Sequence, residues 1–359
     1  MRAKTIKQLP CFFKLYEKFI QNSKQGRRLQ PNGKRFSTGT TDNYYHTLQT
    51  LRKFCADKQF DLRLRPISRL NSRELIAEKK YWKKFYMEFT DYLYDDCGHF
   101  DNYTGSIIKN IRIFFNYLNK EMGLNIGDFH KQFFVRKEEI AIFPLLPEEL
   151  NYLIHDKEFE KNLKLRMREV KDFFVFGCTV ALRFSDLLAL KKTNVRFVND
   201  QYYLTVRSIK TSTYTSIKLP GYAVDIINRY SKLKKRLLPK FNVVNLNKFI
   251  KLLLARAGFT HPVYITRSRR GLAVEIKPTT NNAVVRFCDV ASTHTMRRTA
   301  ITTMLSLGLP ETIVRKISGH APGSKEFYRY VLWAQSYQDI ETEKVFEKLN
   351  GKYLSTVAN

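Results

Sequence analysis

The second half of the chain contains arginine, lysine, histidine and tyrosine residues, whose side chains bind anions, transfer protons or act as nucleophiles. Arg183 interrupts an otherwise apolar run, FFVFGCTVALRF, and Asp186 follows three residues later. Residues three apart share a helical face, so the carboxylate can orient the guanidinium, either in a catalytic pair or in a buried structural ion pair. Lys210 lies in a Ser-Ile-Lys-Thr turn, where a flexible cation can reach into a cleft or simply remain solvated.

Two further motifs bring imidazole, guanidinium and phenol groups into a short stretch. His294 and Arg297 form the pattern HxxR at the start of a predicted helix, one turn apart on the same face. His320 follows the next predicted helix in the sequence ISGH, and Tyr328 and Tyr330 come shortly afterwards. Each of these motifs alone is weak evidence of function. In particular, a tyrosine in an aromatic stripe is ordinarily a core residue.

The elements that must position these side chains are mostly helical. Pro147, followed by two glutamates, is typical of a first helical turn, where acidic side chains meet the positive end of the helix. The segment from Phe197 to Pro220 differs, because two β-type runs flank a Lys/Thr/Ser turn. We therefore expect a helical second half interrupted by a β-hairpin or meander, with Lys210 at its tip.

The first half of the chain contains four amphipathic stripes with helical spacing, which predict a small helical bundle. A basic loop at 23–40 separates the first two stripes and either contacts phosphates through Arg27, Arg28, Lys34 and Arg35 or is a solvated connection. The stripes comprise Phe12, Leu15, Tyr16, Phe19 and Ile20; Tyr44, Leu48, Leu51 and Cys55; Trp82, Phe85, Tyr86, Phe89 and Leu93; and Ile107, Ile111, Phe114 and Leu118.

The length and periodicity of the chain indicate two domains. At 359 residues the chain is long enough for two cores, and 43% of its residues are hydrophobic. The segment between the two halves shows no sustained period. We therefore predict a helical domain over residues 1–125, a linker over 126–145 and a second domain over 146–359.

The charge of the chain indicates a polyanionic partner. Lys and Arg number 63 against 33 Asp and Glu, which gives a formal net charge of +30. The excess is present in both halves, +12 over residues 1–143 and +18 over 144–359. Nucleic acid is the partner that would best relieve this self-repulsion, and it would lie between the two halves or be clamped by both.

Several classes of protein are disfavoured by the sequence. No apolar run is long enough for a signal peptide or a membrane span, so we expect a cytoplasmic protein without membrane contact. Five scattered cysteines favour reduced thiols over a disulfide framework. The sequence lacks CxxC, HExxH, GxxxxGK[ST] and GxGxxG, so no metal ion, nucleotide or other cofactor is expected.

The order Arg183, Lys210, His294-x-x-Arg297, His320, Tyr330 resembles that of the tyrosine recombinases, the phage-integrase-type site-specific recombinases. The resemblance covers nearly the whole chain. It implies a mainly α fold with a small β-sheet, in which an N-terminal, SAM-like four-helix core-binding domain and a C-terminal catalytic domain clamp DNA. The joint occurrence of short motifs over about 150 residues on a basic chain carries the resemblance.

The resemblance implies a role for each matching residue. Tyr330 would attack the scissile phosphate, while Arg183 and Arg297 would bind its non-bridging oxygens. Lys210 would protonate the departing 5′-oxygen, and His294 would assist deprotonation of the tyrosine or bond a phosphate oxygen. The remaining two positions have supporting roles: His320 would donate to the phosphate, and Asp186 would support the geometry of the site.

The position of the nucleophile is the point at which the chain departs from the family pattern. The family commonly places the tyrosine nine residues after the second histidine, whereas Tyr330 lies ten residues after His320. The turn Ala-Pro-Gly-Ser at 321–324 can absorb the extra residue. The apolar pattern around FYRYV favours Tyr330 over Tyr328.

The resemblance also implies partners and further contacts. Double-stranded DNA would be bound by a homotetramer on paired sites. Accessory DNA-bending proteins would be further partners of this assembly. The C-terminal segment, through Val345, Phe346 and Leu349, would dock on a neighbouring protomer or pack on its own domain. The basic run containing Arg267, Arg269 and Arg270 would contact phosphate.

Four functions are compatible with these residues. Integration or excision of a mobile element is the first, and DNA inversion or chromosome resolution by the same chemistry is the second. Relaxation of supercoils, as by a type IB topoisomerase, would use the same residues without needing two DNA sites. A DNA-binding protein without catalysis would explain the charge, but not the ordered set of catalytic residue types.

Overall fold

The computed structural model describes residues 11–209, 213–278 and 284–349. Lys210 lies outside the described residues. The described helices are α1 Phe12–Gln25, α2 Thr38–Asp57, α3 Ser72–Asp91, α4 Asp101–Asn116, α5 Pro147–His155, α6 Lys157–Lys161, α7 Leu165–Val180, α8 Phe184–Leu188, α9 Gly221–Arg229, α10 Val243–Arg256, α11 Phe287–Val290, α12 Thr293–Ser306, α13 Glu311–Ser318 and α14 Lys325–Leu349. The described strands are β1 Val195–Val198, β2 Gln201–Arg207, β3 Tyr214–Lys218, β4 Thr266–Arg269 and β5 Leu272–Glu275.

The chain forms two compact units whose boundaries differ from those expected from the sequence. The first unit contains Met1–Ile140 together with Thr266–Ile276, and the second contains Ala141–Ile265 and Lys277–Asn359. Residues beyond 125 belong to the first unit because Ile126 and Phe133 are buried in its core. The sequence could not predict this boundary, because the apolar residues of this segment follow no helical or strand period.

The core of the first unit is built from the four predicted stripes, which lie on α1 to α4 and on the π-helical turns that follow α3 and α4. Every stripe residue is buried except Cys55 and Tyr86, which pack at the edge of the same core. Each helix buries one face because its apolar residues recur every three or four positions. Aromatic rings dominate the centre, where Phe54, Phe85 and Phe89 pack at centroid distances of 5.0 to 6.1 Å.

A hairpin formed by β4 and β5 belongs to the first unit although it comes late in the sequence. Carboxylates of this unit bind it. The Asp101 carboxylate accepts the backbone N–H groups of Arg270 and Gly271, each at 2.9 Å. The buried Glu138 side chain accepts from Arg267 and from the backbone of Ser268. These charged hydrogen bonds hold a strand pair that has few apolar residues of its own.

The second unit is arranged around α7, in which every residue from Val170 to Val180 is buried. A helix that is apolar on all sides belongs at the centre of a core. Its two charged residues in this stretch are paired, since Lys171 contacts Glu160 at 2.7 Å and Asp172 accepts from Tyr230 at 2.8 Å. Pro147 begins α5, as predicted.

A three-stranded antiparallel meander in the order β1-β2-β3 confirms the small β-sheet predicted around 197–220. β2 is the central strand, with Leu204 opposite both Val195 and Ile217. Leu204, Val206 and Ile217 point into the core, while their neighbours along the strands are more exposed. This alternation is the period of two expected for a sheet with one buried face.

A separate apolar cluster joins α12, α13 and α14. Ile301 and Leu305 of α12 pack in it with Phe327 and Val331 of α14 and with Val314 of α13. The helix with the HxxR motif, the helix that precedes His320 and the helix with the two candidate tyrosines are therefore packed together. Across the described parts of the chain, none of the helices is long and apolar enough to cross a membrane.

Candidate active site

Arg297 lies at the centre of the candidate site and is 7% exposed. Its guanidinium donates to the carbonyl oxygens of Ala181 and Ser318, at 2.7 Å each. Ala181 ends α7 in a left-handed conformation with φ of 53°, and Ser318 is the last residue of α13. Both acceptors are thus at the negative ends of helices, which stabilise a cation.

The environment of Arg297 lowers its pKa to about 10, mainly through burial and also through the positive charge of Arg183. The guanidinium therefore stays protonated at neutral pH. Two of its hydrogen bonds go to backbone carbonyls, so the orientation of the planar guanidinium is set before any ligand binds. Arg297 is therefore a buried cation with a fixed orientation, which can bind an anion.

His320 lies beside this guanidinium. Gly319, with φ of 66°, ends α13 in the left-handed conformation and turns the chain so that the His320 ring faces Arg297. The Nε2 atom of His320 is 3.2 Å from Arg297 Nη2, and its Nδ1 atom is 2.8 Å from Ser318 Oγ. Burial, Arg297 and Arg183 lower the pKa of His320 to about 4, so the ring is neutral at neutral pH.

Arg183 and Asp186 are linked through a serine that sequence reasoning missed. Arg183 Nη1 donates to Ser208 Oγ at 3.3 Å, and Ser208 Oγ donates to Asp186 Oδ2 at 3.0 Å. The second oxygen, Asp186 Oδ1, accepts the backbone N–H of Ile209 at 2.8 Å. Asp186 therefore reaches Arg183 through Ser208, rather than by the direct pairing that the sequence suggested.

The described residues on either side of Lys210 lie beside these groups. On one side, Ile209 is bound to Asp186. On the other side, the Thr213 carbonyl accepts the backbone N–H of Ser208 at 2.9 Å. A methyl group added at Gly319 would lie 3.2 Å from Thr213 Oγ1, so this flank is next to His320. Both flanks of Lys210 thus lie at the candidate site.

Tyr330 lies on α14 with its ring centroid 5.9 Å from that of His320. Its side chain is half-buried and packs against the cluster formed by α12, α13 and α14. Tyr328 is 58% exposed. Since these two residues are separated by about 200° around a helix, only one of them can face His320. The structure places Tyr330 in that position.

His294 occupies the first turn of α12, one helical turn before Arg297, and its side chain is exposed. Its backbone N–H donates to Ser292 Oγ at 3.3 Å, which caps the helix. The structure therefore places His294 on the helix that carries Arg297, at its exposed end. Arg183, Asp186, Arg297, His320 and Tyr330 are the predicted residues that it brings into one cluster.

The sequence signature of the phage integrase family matches residues 145–332. This match spans more than half of the chain and includes every residue of the cluster. The chain belongs to the phage integrase family. The predicted resemblance to tyrosine recombinases is thereby confirmed. No match was found among the curated proteins.

Solved structures of tyrosine recombinases share the fold of this integrase-family chain. A lambda integrase dimer bound to a COC′ core site aligns with a TM-score of 0.57 at 12% identity, covering 90% of this chain and 95% of that one. XerH recombinase bound to a difH substrate aligns at 0.53 and 13% identity, covering 90% and 82%. The Tn1549 transposon integrase with circular intermediate DNA aligns at 0.54 and 16%, covering 89% and 94%. These alignments confirm the predicted fold class.

The basic loop of this integrase-family chain has mixed contacts. Arg27, Lys34 and Arg35 are exposed, as required for a phosphate contact. Arg28 instead bonds Glu121 at 2.9 Å and stacks over the rings of Phe19 and Phe36. The loop is ordered by a bridge between Leu29 and Arg35. The structure therefore gives Arg28 a structural role in the first unit.

The arginines of the β4–β5 hairpin are engaged within the first unit. Arg267 pairs with Glu138 at 2.7 Å, and Arg269 donates to the backbone carbonyl of Tyr94. Arg270 bridges two carboxylates at 2.7 and 2.6 Å, those of Asp91 and Asp95. These contacts come from residues more than 120 positions away, which no local pattern could reveal.

One residue near Tyr330 was missed. Arg298 follows Arg297 directly in the sequence HTMRR and is half-buried. Burial lowers its pKa, and the Tyr330 phenol is the largest influence that raises it. The second arginine of the HTMRR sequence could have indicated this residue.

No metal-binding group of three or more His, Cys, Asp or Glu side chains is found among the described residues. All five cysteines are free thiols.

Proposed function

We propose that this protein is a site-specific DNA recombinase that cleaves and rejoins strands through a 3′-phosphotyrosyl intermediate on Tyr330. The observation that carries the proposal is the convergence of two arginines, a neutral histidine and a tyrosine from four separate segments of the chain. A structural role alone would not require Tyr330 beside His320 and Arg297. Membership of the phage integrase family supports the same chemistry.

In the proposed step, the Tyr330 oxygen forms a bond to phosphorus as the bond from phosphorus to the 5′-oxygen breaks. Negative charge gathers on the non-bridging oxygens, where Arg183 and Arg297 bind it through paired hydrogen bonds. His320, neutral because its pKa lies near 4, donates an N–H to one of these oxygens. The energy of the broken bond is kept in the phosphotyrosyl ester, so the reaction needs no ATP.

Two protons move during this step. The departing 5′-oxygen takes its proton from Lys210; its described neighbours Ile209 and Thr213 lie at the cluster. The phenol loses its proton as it attacks, either to His294 or, where His294 bonds a phosphate oxygen instead, to solvent water. Rejoining is the reverse: a 5′-hydroxyl attacks phosphorus and the Tyr330 oxygen leaves. Metal ions take no part in this scheme.

Double-stranded DNA is the proposed substrate. A net charge of +30 favours a polyanionic partner, and the lambda integrase, XerH and Tn1549 integrase structures described above all contain DNA. Arg27, Lys34 and Arg35, exposed on the first unit, are proposed phosphate contacts. Arg28, Arg267, Arg269 and Arg270 would act on DNA only by giving up their present partners.

A homotetramer on paired DNA sites is the proposed assembly, with accessory DNA-bending proteins as further partners. Lambda integrase has been solved as a tetramer on a Holliday junction. In this chain α14 packs on its own unit as far as Gln338, whose amide donates to Leu305 and Ser306 carbonyls. Beyond it, Ile340, Val345 and Phe346 are 54 to 58% exposed, leaving an apolar face for a second copy.

Integration or excision of a mobile element is the biological role that we propose. Inversion and chromosome resolution would use the same cluster and differ in the arrangement of the two DNA sites. A type IB topoisomerase activity would need only one site and would change the linking number of a plasmid. Product topology therefore separates the recombinase from the topoisomerase.

Covalent capture tests the proposal against a DNA-binding protein without catalysis. Overlapping nicked duplexes covering both flanks of the gene would be incubated with the protein in EDTA and quenched with SDS. Tyr330→Phe and Tyr328→Phe are matched variants, each lacking one hydroxyl on the same helix. The expected result is a protease-sensitive adduct formed by wild type and Tyr328→Phe and absent from Tyr330→Phe, with DNA binding unchanged.

Other outcomes would assign the function differently. An adduct lost only in Tyr328→Phe would move the nucleophile by two residues. Tight binding in a native gel without an adduct on any duplex would favour a DNA-binding protein. An adduct accompanied by plasmid relaxation, without any exchange between two sites, would favour the topoisomerase.

A further inference from the structure

Ser318 is a buried serine, 4% exposed, whose hydroxyl lies between a carbonyl group and the His320 ring. Its Oγ atom is 2.7 Å from the carbonyl oxygen of Val314, one helical turn earlier in α13, and 2.8 Å from Nδ1 of His320. A carbonyl oxygen can only accept, so the hydroxyl must donate to Val314. Since a hydroxyl has a single hydrogen, Ser318 Oγ then accepts from His320 Nδ1.

The other side of the His320 ring leads to the same assignment. Arg297 Nη2 lies 3.2 Å from Nε2 and 3.4 Å from Nδ1. A guanidinium has no acceptor, so the ring nitrogen that receives its hydrogen bond carries a lone pair and no hydrogen. Because Nδ1 donates to Ser318, Nε2 is the nitrogen that accepts from Arg297. The contacts therefore indicate a neutral ring with its hydrogen on Nδ1.

The two other protonation states of His320 would each create repulsive contacts. A hydrogen on Nε2 alone would point at the Arg297 donor, and Ser318 would have to donate to Nδ1 while its oxygen lay against the Val314 carbonyl oxygen. A doubly protonated ring would place an N–H and a positive charge against Arg297. Burial and the charges of Arg297 and Arg183, which lower the pKa of His320 to about 4, agree with a neutral ring.

This arrangement uses both hydrogens of Arg297 Nη2. One is donated to the Ser318 carbonyl at 2.7 Å and the other to Nε2 of His320. A guanidinium forms paired hydrogen bonds with an anion through Nη1 and Nη2 or through Nε and Nη2, so either pair needs a hydrogen of Nη2. A phosphate bound in this way must displace one acceptor. We expect it to displace His320, which makes the longer contact and belongs to a side chain.

We propose that Ser318 is a positioning residue that sets the tautomer of His320 and allows that tautomer to reverse when a phosphate binds. The inference rests on the proposed function, in which His320 donates an N–H to a non-bridging oxygen. Before DNA binds, Nε2 accepts the Arg297 hydrogen. When the phosphate accepts that hydrogen instead, one proton leaves Nδ1 for water and one proton from water binds Nε2. The charge of the ring is unchanged.

A hydroxyl is suited to this exchange because it can both accept and donate. In the DNA-free protein, Ser318 donates to Val314 and accepts from Nδ1 of His320. In the phosphate-bound state, the hydroxyl turns away from Val314 and donates to Nδ1, which then carries a lone pair. The partner of one imidazole nitrogen thus determines which nitrogen holds the hydrogen. Ser318 acts through His320 in both states.

Nitrogen-15 NMR of the histidine rings tests the tautomer at neutral pH without DNA, and His320→Gln identifies the His320 signals by their loss. We expect the hydrogen on Nδ1 in wild type and in Ser318→Thr, which keeps the hydroxyl. In Ser318→Ala the signals should move toward a mixture of tautomers. Ser336→Ala is the matched control, since Ser336 donates to the carbonyl of Leu332 one turn earlier at 3.1 Å, and should leave the His320 signals unchanged.

The same signals in Tyr330→Phe bound to a duplex that captures the wild-type protein test the reversal. We expect the hydrogen on Nε2 in this complex, which cannot proceed to cleavage. In single-turnover adduct formation, Ser318→Ala should be slower by about tenfold, as for loss of one neutral hydrogen bond, and Ser318→Thr should remain near wild type. Rescue by the threonine variant separates the hydroxyl from the volume of the side chain.

Each part of the inference can be overturned separately. A hydrogen on Nε2, or on both nitrogens, in the DNA-free wild type would reject the assigned tautomer. Unchanged His320 signals in Ser318→Ala would reject the role of Ser318, and a hydrogen that stays on Nδ1 in the DNA complex would reject the reversal. If the wild-type protein forms no adduct on any duplex, the proposed function fails. The spectra of the DNA-free protein then still decide the tautomer.

Discussion

The carboxylate of Asp186 accepts the backbone N–H of Ile209 at 2.8 Å, one residue before Lys210. Its other oxygen accepts from Ser208, which in turn accepts from Arg183. A single buried carboxylate therefore fixes both the guanidinium and the start of the lysine turn. We therefore propose that Asp186 is a positioning residue, which acts through Ser208 and the backbone of Ile209.

Asp186→Asn is expected to reduce DNA cleavage by about 10²-fold while DNA binding is retained, since small misplacements of a catalytic group cost about that much. An amide offers one acceptor oxygen in place of two, so it cannot accept from Ser208 and Ile209 in the same way. Single-turnover adduct formation measures the effect. Asp200→Asn makes the same chemical change in the exposed β1–β2 turn and should have no effect.

A substrate with a 5′-bridging sulfur makes the Asp186 experiment specific. A thiolate leaves without protonation, so the sulfur substrate should restore cleavage by Lys210→Ala. It should also restore much of the cleavage by Asp186→Asn if Asp186 positions the lysine turn. Restoration in Lys210→Ala but not in Asp186→Asn would show that Asp186 acts mainly through Arg183.

His130 should make the first unit less stable in acid. Its side chain is 1% exposed, and burial lowers its pKa from 6.5 to about 4. Between pH 6.5 and 4 the unfolded chain binds a proton that the folded chain excludes, so stability is full above pH 6.5 and falls as pH drops. The loss attributable to this group is at most about 3 kcal/mol.

Urea unfolding followed by Trp82 fluorescence in a Trp333→Phe background would measure this pH dependence in the first unit. Replacement of His130 by glutamine, which can still donate to Asn116 Oδ1, should flatten the dependence between pH 6.5 and 4. His46→Gln changes an exposed histidine of α2 and serves as the control. An equally steep dependence in His130→Gln would contradict this assignment.

Gly105 allows α4 to approach the segment that follows the bundle. A methyl group added there would lie 2.0 Å from the carbonyl oxygen of Arg136, which is far inside contact distance. We expect Gly105→Ala to destabilise the first unit by about 1–3 kcal/mol, the usual cost of overpacking. Gly39→Ala, on α2 with no atom within 4 Å of the added methyl, should be neutral or stabilising. Equal unfolding midpoints for the two variants would refute this packing argument.

Phe346→Asp should prevent assembly on DNA without preventing cleavage. Phe346 is 58% exposed at the end of α14, where we propose that a second copy binds. Adduct formation on one duplex should remain near wild type, whereas multimeric complexes on paired sites should be lost. Ile76→Asp changes an equally exposed apolar residue of α3 and is the control. Loss of assembly in both variants, or in neither, would count against a specific role for this face.

Much of the fold follows from local patterns in the sequence. The four stripes predicted α1 to α4 because helical periodicity depends only on nearby residues, and Pro147 likewise marked the start of α5. The meander followed from β-type runs flanking a turn. The end of the first unit was less visible, since Ile126 and Phe133 are buried without any periodic pattern around them.

The sequence by itself determined the residue types, their order and the excess of positive charge, and these were enough to indicate the family. Only the tertiary structure decided which side chains meet. Ser208 connects Arg183 to Asp186, and Tyr330 lies beside His320, because segments distant in sequence pack against each other. The hairpin arginines pair with carboxylates for the same reason. Burial, which sets the pKa of His320 near 4, likewise depends on the whole packed unit and cannot be read from neighbouring residues.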